Sequence, residues 1–252
     1  GDCVDIIVNG SNGRMGKELV KLIKEGYRGS KLAASVNRSG TTLDGDFIFS
    51  QLDDFSGEAS CIIDFTNHEQ TNNLVQYAIR RNLPLVIATT GQTEEELNTI
   101  LEASKRIPIF YSANMSIGVA ILVELAKTTA KLMDDADIEI IEKHHNRKAD
   151  APSGTALMIA DAIKEIKIDA IYVKGRNGYE KRQKNEIGIH AIRMGNIFGE
   201  HEVIIGTDSQ TLSLKHEVHN RAIFAEGALT AAEFIIDKSP GIYSMQDMVN
   251  SK

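Results

Sequence analysis

The stretch "VDIIVNGSNGRMGKELVKLIKEG" (4–26) constrains this chain more than any other part of it. The mostly apolar run "VDIIV" (4–8) reads as a buried strand and is followed by glycines at Gly10, Gly13 and Gly16. "RMGKELVKLIKEG" (14–26) then has the period of an amphipathic helix, with Met15, Leu19, Leu22 and Ile23 on one face and Gly26 as a stop. Strand, glycine turn and helix in that order open a dinucleotide-binding βαβ unit. The fingerprint G-x-G-x-x-G is not met in full, because Asn12 stands where the second glycine is expected.

A strand-to-helix turn presents free backbone N–H groups at the positive end of a helix dipole, and a pyrophosphate can sit there if the backbone comes close. Gly10 is expected to make the tight turn, Gly13 to allow the close approach and Gly16 to let the helix pack on the strand. Asn12 is the best non-glycine residue for a left-handed backbone and is expected to supply the missing glycine's conformation. Ser11 and Met15 complete the loop, and Arg14 adds a cation at the helix start. A plain strand–helix turn is the alternative. The end of the second strand, "SVNRSG", offers Asn37 and Arg38 and no carboxylate. An acid there would hold the ribose of NADH, whereas an arginine accommodates a 2′-phosphate, so the residues lean to NADPH or to use of both. Thr89 and Thr90 of "ATTG", and Asn114 of "YSANMSIG", should border the same crevice and hold the nicotinamide ribose and carboxamide, unless they only cap strand ends.

The first half continues the alternation. Strands are expected at 31–37, 60–65, 84–90 and 107–113, with helices near 69–81 (capped by Asn67), 93–105 and 116–133. After a strand at 136–145 and a helix at 155–166 come strand-like runs at 170–174, 188–195, 200–207 and 210–218 with no helices between them. That pattern predicts an inserted α+β mixed-sheet domain on a Rossmann-like parallel-sheet α/β domain, divided as 1–115 plus 221–252 and 116–220. A helix at 221–236 is expected to close the chain, and the basic stretch "KGRNGYEKRQK" (174–184) reads as a mobile loop or, more simply, a solvated surface connection.

Composition removes several function classes. A net charge of −7 disfavours nucleic acid and anionic membranes as partners. No apolar run approaches membrane-spanning length and no signal segment is expected, while two cysteines, Cys3 and Cys61, suit a reducing cytoplasm better than a disulfide framework.

"EKHHNRKADAPSGT" (142–155) holds the densest polar chemistry. Adjacent histidines without an i,i+4 partner or a completing carboxylate argue against a metal, so none is expected. Gly154 and Thr155 lie at a helix N-terminus, another anion site, and the cations at 144–148 beside it form a pocket for a carboxylate-bearing substrate. A histidine and a lysine in that pocket can donate protons.

"GRMG", "ATTG", "YSANMSIGV" and above all "HHNRKADAPSGTA" resemble the 4-hydroxy-tetrahydrodipicolinate reductase (dihydrodipicolinate reductase) family of the diaminopimelate–lysine pathway. "IRMGNIFGEHEVIIG" and "RAIFAEGAL" extend the likeness over nearly the whole chain. The resemblance implies a Rossmann-like cofactor domain, a mixed-sheet substrate domain that also builds a homotetramer, a small dicarboxylate substrate, and closure about hinges near 113–117 and 219–223. It implies that His144 is the acid/base residue and Lys148 the proton donor, with His145, Lys148, Gly154 and Thr155 on the substrate carboxylates. It places the dinucleotide on Gly10, Ser11, Asn12, Gly13, Arg14, Met15, Arg38, Ala88, Thr89, Thr90, Ser112, Ala113, Asn114 and Met115. Asn37 departs from the acid common in the family, which weakens an NADH preference. Aspartate-semialdehyde or homoserine dehydrogenase, on the same scaffold, and a non-catalytic nucleotide sensor remain as alternatives. The first needs a nucleophilic cysteine, and neither Cys3 nor Cys61 is suitably placed.

Overall fold

The computed structural model describes residues 3–40 and 45–252. The chain forms two units, Gly1–Ile117 with Arg221–Lys252, and Gly118–Asn220.

In the first unit the order is β1 (Asp5–Asn9), α1 (Arg14–Lys24), β2 (Lys31–Val36), β3 (Ile48–Phe49), β4 (Cys61–Asp64), α2 (Thr71–Arg81), β5 (Leu85–Ile87), α3 (Glu94–Ala103) and β6 (Pro108–Tyr111). After α4 (Ile117–Leu132), the second unit contributes β7 (Asp137–His144), α5 (Gly154–Lys164), β8 (Ile171–Lys174), β9 (Glu186–Arg193), β10 (Glu200–Gly206) and β11 (Thr211–Glu217). The chain then returns to the first unit as α6 (Ala222–Ile235), β12 (Gly241–Tyr243) and α7 (Met245–Asn250).

The first sheet runs β12-β6-β5-β4-β1-β2-β3, and every pairing is parallel. Its strands read as apolar runs because helices cover both faces; all four residues of β4 and all three of β5 are buried. The strand order reverses between β1 and β4, where a doubly wound sheet opens a crevice at its carboxyl edge. Local chemistry marks the helix ends. Gly26 takes a left-handed φ of 76° after α1. Thr93 and Glu96 close a capping box on α3. Asn67 does cap, accepting from the Glu69 N–H at 2.9 Å, but it opens one turn of 3-10 helix (His68–Gln70) that leads into α2.

The helix expected at 221–236 is not the last element. Ser244 and Asp247 form a second capping box that starts α7, and β12 adds a seventh strand beside β6. Helix α6 is buried along most of its length. At Gly227 it meets the carbonyl of Met115, where a Cβ would lie 1.7 Å from that oxygen, so the glycine is required for the approach.

The second sheet runs β11-β10-β7-β9-β8. It is mixed: β10 is antiparallel to β7 and β11, whereas β9 is parallel to β7 and β8. Ile138, Ile140, Ile187, Ile189, Val203 and Ile205 make its core with the buried side chains of α4 and α5. The α/β architecture is the one the sequence patterns predict. The basic stretch at 174–184 is an exposed connection between β8 and β9 that is anchored near its C-terminal end. The Arg182 guanidinium donates to the carbonyls of Ile138 (3.0 Å) and Glu186 (2.7 Å), and Lys184 donates to that of Asp135 (2.6 Å).

Candidate functional site

At the crevice of the first unit, Gly10 has a φ of 86° and makes the turn. A Cβ there would lie 2.9 Å from the Phe65 carbonyl carbon, so the loop reaches close to the end of β4. Gly16 is equally constrained, since a Cβ would sit 1.9 Å from the Gly10 oxygen. Gly13 is the N-cap of α1 and has ordinary dihedrals, leaving the first N–H groups of the helix without a capping side chain.

Asn12 corrects the sequence reading. Its backbone is not left-handed; Gly10 already supplies the turn. Asn12 acts instead as a strap. Its N–H donates to Asn37 Oδ1 (3.2 Å) and its Nδ2 to Ser39 Oγ (3.2 Å), while Asn37 Nδ2 donates to the same hydroxyl (2.9 Å). The glycine loop and the residues after β2 are therefore one hydrogen-bonded unit. Ser11 Oγ and Asn12 Oδ1 are buried there and have no hydrogen-bond partner. Unpaired buried polar atoms beside an open helix N-terminus fit a polar ligand such as a dinucleotide phosphate. Gly10 and Gly13 of the loop line a cavity of about 660 Å³ together with Asn37, Arg38, Thr66 and Arg80 among others, whereas Ser11 and Asn12 line a second one of about 500 Å³ with Lys17 and Lys21. Arg14 is exposed, Met15 half-buried, and Arg38 an exposed cation at the cavity.

The other strand ends supply a second row. Ala88 and Thr89 follow β5. Thr89 Oγ1 accepts from Gln92 Nε2 (2.8 Å), and Gln92 Oε1 accepts from the Tyr111 hydroxyl (2.9 Å). Thr90 and Ala113 are exposed, and Met115 is buried. Ser112 Oγ donates to the Asn114 carbonyl (3.1 Å), and Asn114 Oδ1 accepts from the Ser116 N–H (2.7 Å) at the start of α4. Sequence reasoning missed Asp64 at the end of β4. It accepts from Asn9 Nδ2 (2.9 Å) and the Thr66 hydroxyl (2.8 Å), and burial pushes its carboxyl up to about 6 against those hydrogen bonds.

In the second unit, β7 ends in "EKH" and places Glu142 and His144 two residues apart. Glu142 is fully buried and its carboxylate accepts four hydrogen bonds. Arg193 of β9 grips both oxygens (Nη1–Oε2 2.9 Å, Nη2–Oε1 2.8 Å), His144 Nδ1 lies 2.5 Å from Oε2, and the Ser153 N–H donates to Oε1 (3.1 Å). Burial alone would raise this carboxyl, but the bonds from His144 and Arg193 outweigh it and hold it at about 2. Ser153 caps α5, its hydroxyl accepting from the Ala156 N–H (3.1 Å) and lying 2.8 Å from His201 Nε2. Burial lowers His201 to about 4, so it is neutral near pH 7.

Around this core stand the residues read from the sequence. Gly154 and Thr155 open α5 immediately after the Ser153 cap, Gly154 exposed and Thr155 half-buried. Lys148 Nζ pairs with Asp150 (2.8 Å). His145 Nδ1 accepts from the Arg147 N–H (3.2 Å), and burial followed by the nearby cations lowers its proton affinity. Arg147 Nη2 donates to Asn196 Oδ1 (2.6 Å).

Glu142, His144 and His201 bring three potential metal donors within 4.8 Å of one another, a carboxylate-completed set that sequence spacing did not disclose. Their chemistry does not suit a cation. Arg193 and Ser153 already occupy the carboxylate, and the bidentate guanidinium is itself positively charged. Arg193 and His201 carry no role in the sequence reading, and neither do Glu142 and Ser153, although both lie in the segment 142–155; strand pairing brings Arg193 and His201 to Glu142, the latter as its register partner, and the loop before α5 brings Ser153.

Two family models account for most of the chain. Residues 4–115 match "Dihydrodipicolinate reductase, N-terminus" and residues 118–249 match "Dihydrodipicolinate reductase, C-terminus". A 4-hydroxy-tetrahydrodipicolinate reductase of Caldanaerobacter subterraneus subsp. tengcongensis is 49% identical over 98% of both chains. One of Clostridium novyi is 43% identical, again over 98% of each. Among solved structures, the dipicolinate-bound dihydrodipicolinate reductase of Paenisporosarcina sp. TG-14 shares the fold with a TM-score of 0.82 at 22% identity, covering 98% of this chain and 100% of that one.

Proposed function

The chain belongs to the dihydrodipicolinate reductase family, and from that premise we propose how its residues carry out the reaction. It is an oxidoreductase that reduces 4-hydroxy-tetrahydrodipicolinate in the diaminopimelate–lysine pathway. The observation that carries the assignment of roles is the "HHNRKADAPSGT" segment, folded so that a buried carboxylate, bonded to the Ser153 N–H at the N-cap of α5, also holds His144.

A bound nicotinamide cofactor supplies the hydride, which is added at C4 of the ring once the 4-hydroxyl has left as water. The cationic and N–H-rich surface formed by His145, Lys148, Gly154 and Thr155 takes the two carboxylates of the substrate and orients the ring. The same positive field stabilises the negative charge that develops as hydride arrives. His144 and Lys148 deliver a proton to the carbon next to C4, Lys148 as donor and His144 as acid/base partner. The nucleotide half is held by the Gly10–Met15 loop and by Asn37 and Arg38, and the nicotinamide half by Ala88–Thr90 and Ser112–Met115. The orphaned Ser11 and Asn12 oxygens support the first placement. Arg38 together with the absence of an acid at position 37 favours NADPH, with NADH also accepted. A nucleophilic-cysteine mechanism finds no support, since Cys61 is buried in β4 and its thiol is pushed upward by burial.

In this reading residues 1–115 plus 221–252 bind the cofactor, residues 116–220 bind substrate and assemble a homotetramer, and the protein works in the cytoplasm. Exposed Ile192, Met194 and Phe198 in the second unit supply apolar surface for self-association. Among the described residues no helix is long and apolar enough to cross a membrane.

The test couples the protein to the upstream synthase with pyruvate and aspartate semialdehyde, and follows NAD(P)H absorbance. Cofactor oxidation that depends on an active synthase is expected; none in its presence would sink the assignment. Light scattering across a dilution series tests the tetramer.

A further inference from the structure

We propose that Glu142, clamped by Arg193, is a positioning residue that fixes the tautomer and basicity of His144. The inference rests on the reading of His144 as the acid/base group, and it assigns a role to two residues that touch no substrate in that reading.

The geometry is specific. His144 Nδ1 lies 2.5 Å from Glu142 Oε2, and a carboxylate can only accept, so in neutral imidazole the proton sits on Nδ1 and Nε2 carries the lone pair. Nε2 points to where Gly199 has no side chain; a Cβ on Gly199 would lie 3.2 Å from it. The carboxylate cannot turn away from His144, because Arg193 holds both of its oxygens and the Ser153 N–H fixes Oε1. Arg193 is in turn anchored, its Nη2 donating to the Asp150 carbonyl (2.7 Å) and its Nη1 to that of Ile192 (3.0 Å). Strands β7 and β9 thus fix the far side of the ring and leave Nε2 for chemistry. This is the base-plus-orienter arrangement of nucleophile triads, used here for a proton-transfer histidine.

The charges facing His144 predict opposite effects from the two clamp residues. Glu142 favours the imidazolium. Arg193, His145 and Lys148 oppose it, neutral His201 adds no net charge, and Asp150 offsets Lys148. Removing the Glu142 charge should therefore lower the proton affinity of His144, and removing the Arg193 charge should raise it. A purely structural role for the pair predicts no such divergence.

The test has two parts. Two-dimensional ¹⁵N–¹H spectra of the histidines in the wild-type chain at pH 8 should show His144 protonated on Nδ1; protonation on Nε2 overturns the proposal. In pH profiles of kcat/KM, Glu142→Gln should move the limb that belongs to His144 about one pH unit down, with kcat reduced roughly tenfold or more and KM little changed. Arg193→Met should move the same limb up, and Glu142→Asp should restore part of the wild-type kcat. Limbs that stay in place, or that shift together, overturn the proposal even if both variants lose stability. If the Nδ1 tautomer is found but His144→Ala keeps full kcat, the acid/base reading of His144 fails while the positioning bond stands.

Discussion

The backbone N–H of Asn12 donates to the side-chain carbonyl of Asn37 across 3.2 Å, so the loop proposed to take the phosphates is bonded to the residues proposed to select the ribose substituent. Asn37→Asp preserves that acceptor and adds a negative charge beside the site expected to take a 2′-phosphate. KM for NADPH should rise about tenfold, equivalent to about 1.4 kcal/mol of repulsion, while NADH is unaffected or favoured. Steady-state kinetics with both cofactors read the difference directly. An equal change for the two would show that Asn37 acts on the loop alone.

Arg38→Ala tests the other half of the same site. Arg38 lines the cavity of about 660 Å³ next to Asn37, and an exposed guanidinium there can grip a phosphate bidentately. The variant should weaken NADPH and spare NADH. Equal losses for both cofactors would refute a 2′-phosphate role.

Gly13 and Gly16 look alike in the sequence yet should respond differently to alanine. At Gly16 the added Cβ would lie 1.9 Å from the Gly10 oxygen, so the backbone must shift, at an expected cost of about 1–3 kcal/mol in urea unfolding. At Gly13 the same atom would be 3.4 Å away, with ordinary dihedrals. Gly13→Ala should hold its stability and lose dinucleotide affinity instead. Comparable destabilisation by the two would undo this separation of packing from binding.

Much of the first unit was legible because its strands are buried on both faces and read as apolar runs between helical periods; capping contributes less, since α1, α2 and α6 have no side-chain cap and α7 has a capping box yet lies outside the sequence expectation. Strands β3 and β12, with two and three residues, are too short to show any period. Asn12 was misread for a different reason: propensity for the left-handed region says which residue can take a turn, not which one does, and Gly10 took it. His144, His145 and Lys148 were visible because they cluster along the chain. Glu142, Arg193 and His201 were not, because strand pairing alone assembles them; in "IRMGNIFGEHEV" an arginine and a histidine on exposed-looking strands carry no mark of their burial.

His201 gives stability an acid-side dependence. Its folded proton affinity is lowered to about 4 by burial, against an ordinary value near 6.5, so between those values the unfolded chain binds more protons and stability rises with pH. The stabilisation is present above pH 6.5 and is lost as pH falls toward 4. Between pH 7 and pH 5 this contribution should fall by ~2 kcal/mol in urea unfolding. Asp64 works against it over the same interval, because its carboxyl, raised to about 6, takes up a proton in the folded chain first. His201→Gln, which cannot titrate, should therefore remove the acid-side loss relative to the wild type, and an unchanged difference between pH 7 and pH 5 would overturn the assignment. Glu142, held at about 2, changes its contribution only below its unfolded value near 4.3, outside that interval.

Lys148 carries the last prediction, because its pairing with Asp150 at 2.8 Å bears on both charge and position. The hydrogen bond from Lys148 is the leading cause that holds the Asp150 carboxyl below its ordinary range, so the pair is an ion pair at neutral pH. A lysine that donates a proton during turnover must be held within reach of the ring carbon, and the bond to Asp150 restricts where its ammonium can lie. Lys148→Ala should lower kcat by roughly 10²-fold, the scale of lost general-acid catalysis, and also raise KM through the missing carboxylate contact. Asp150→Asn keeps the ammonium and removes its tether, so its kcat should fall less than that of Lys148→Ala. If Lys148→Ala raises KM and leaves kcat intact, the lysine binds substrate without donating the proton, and His144 is left as the sole candidate donor of the pair.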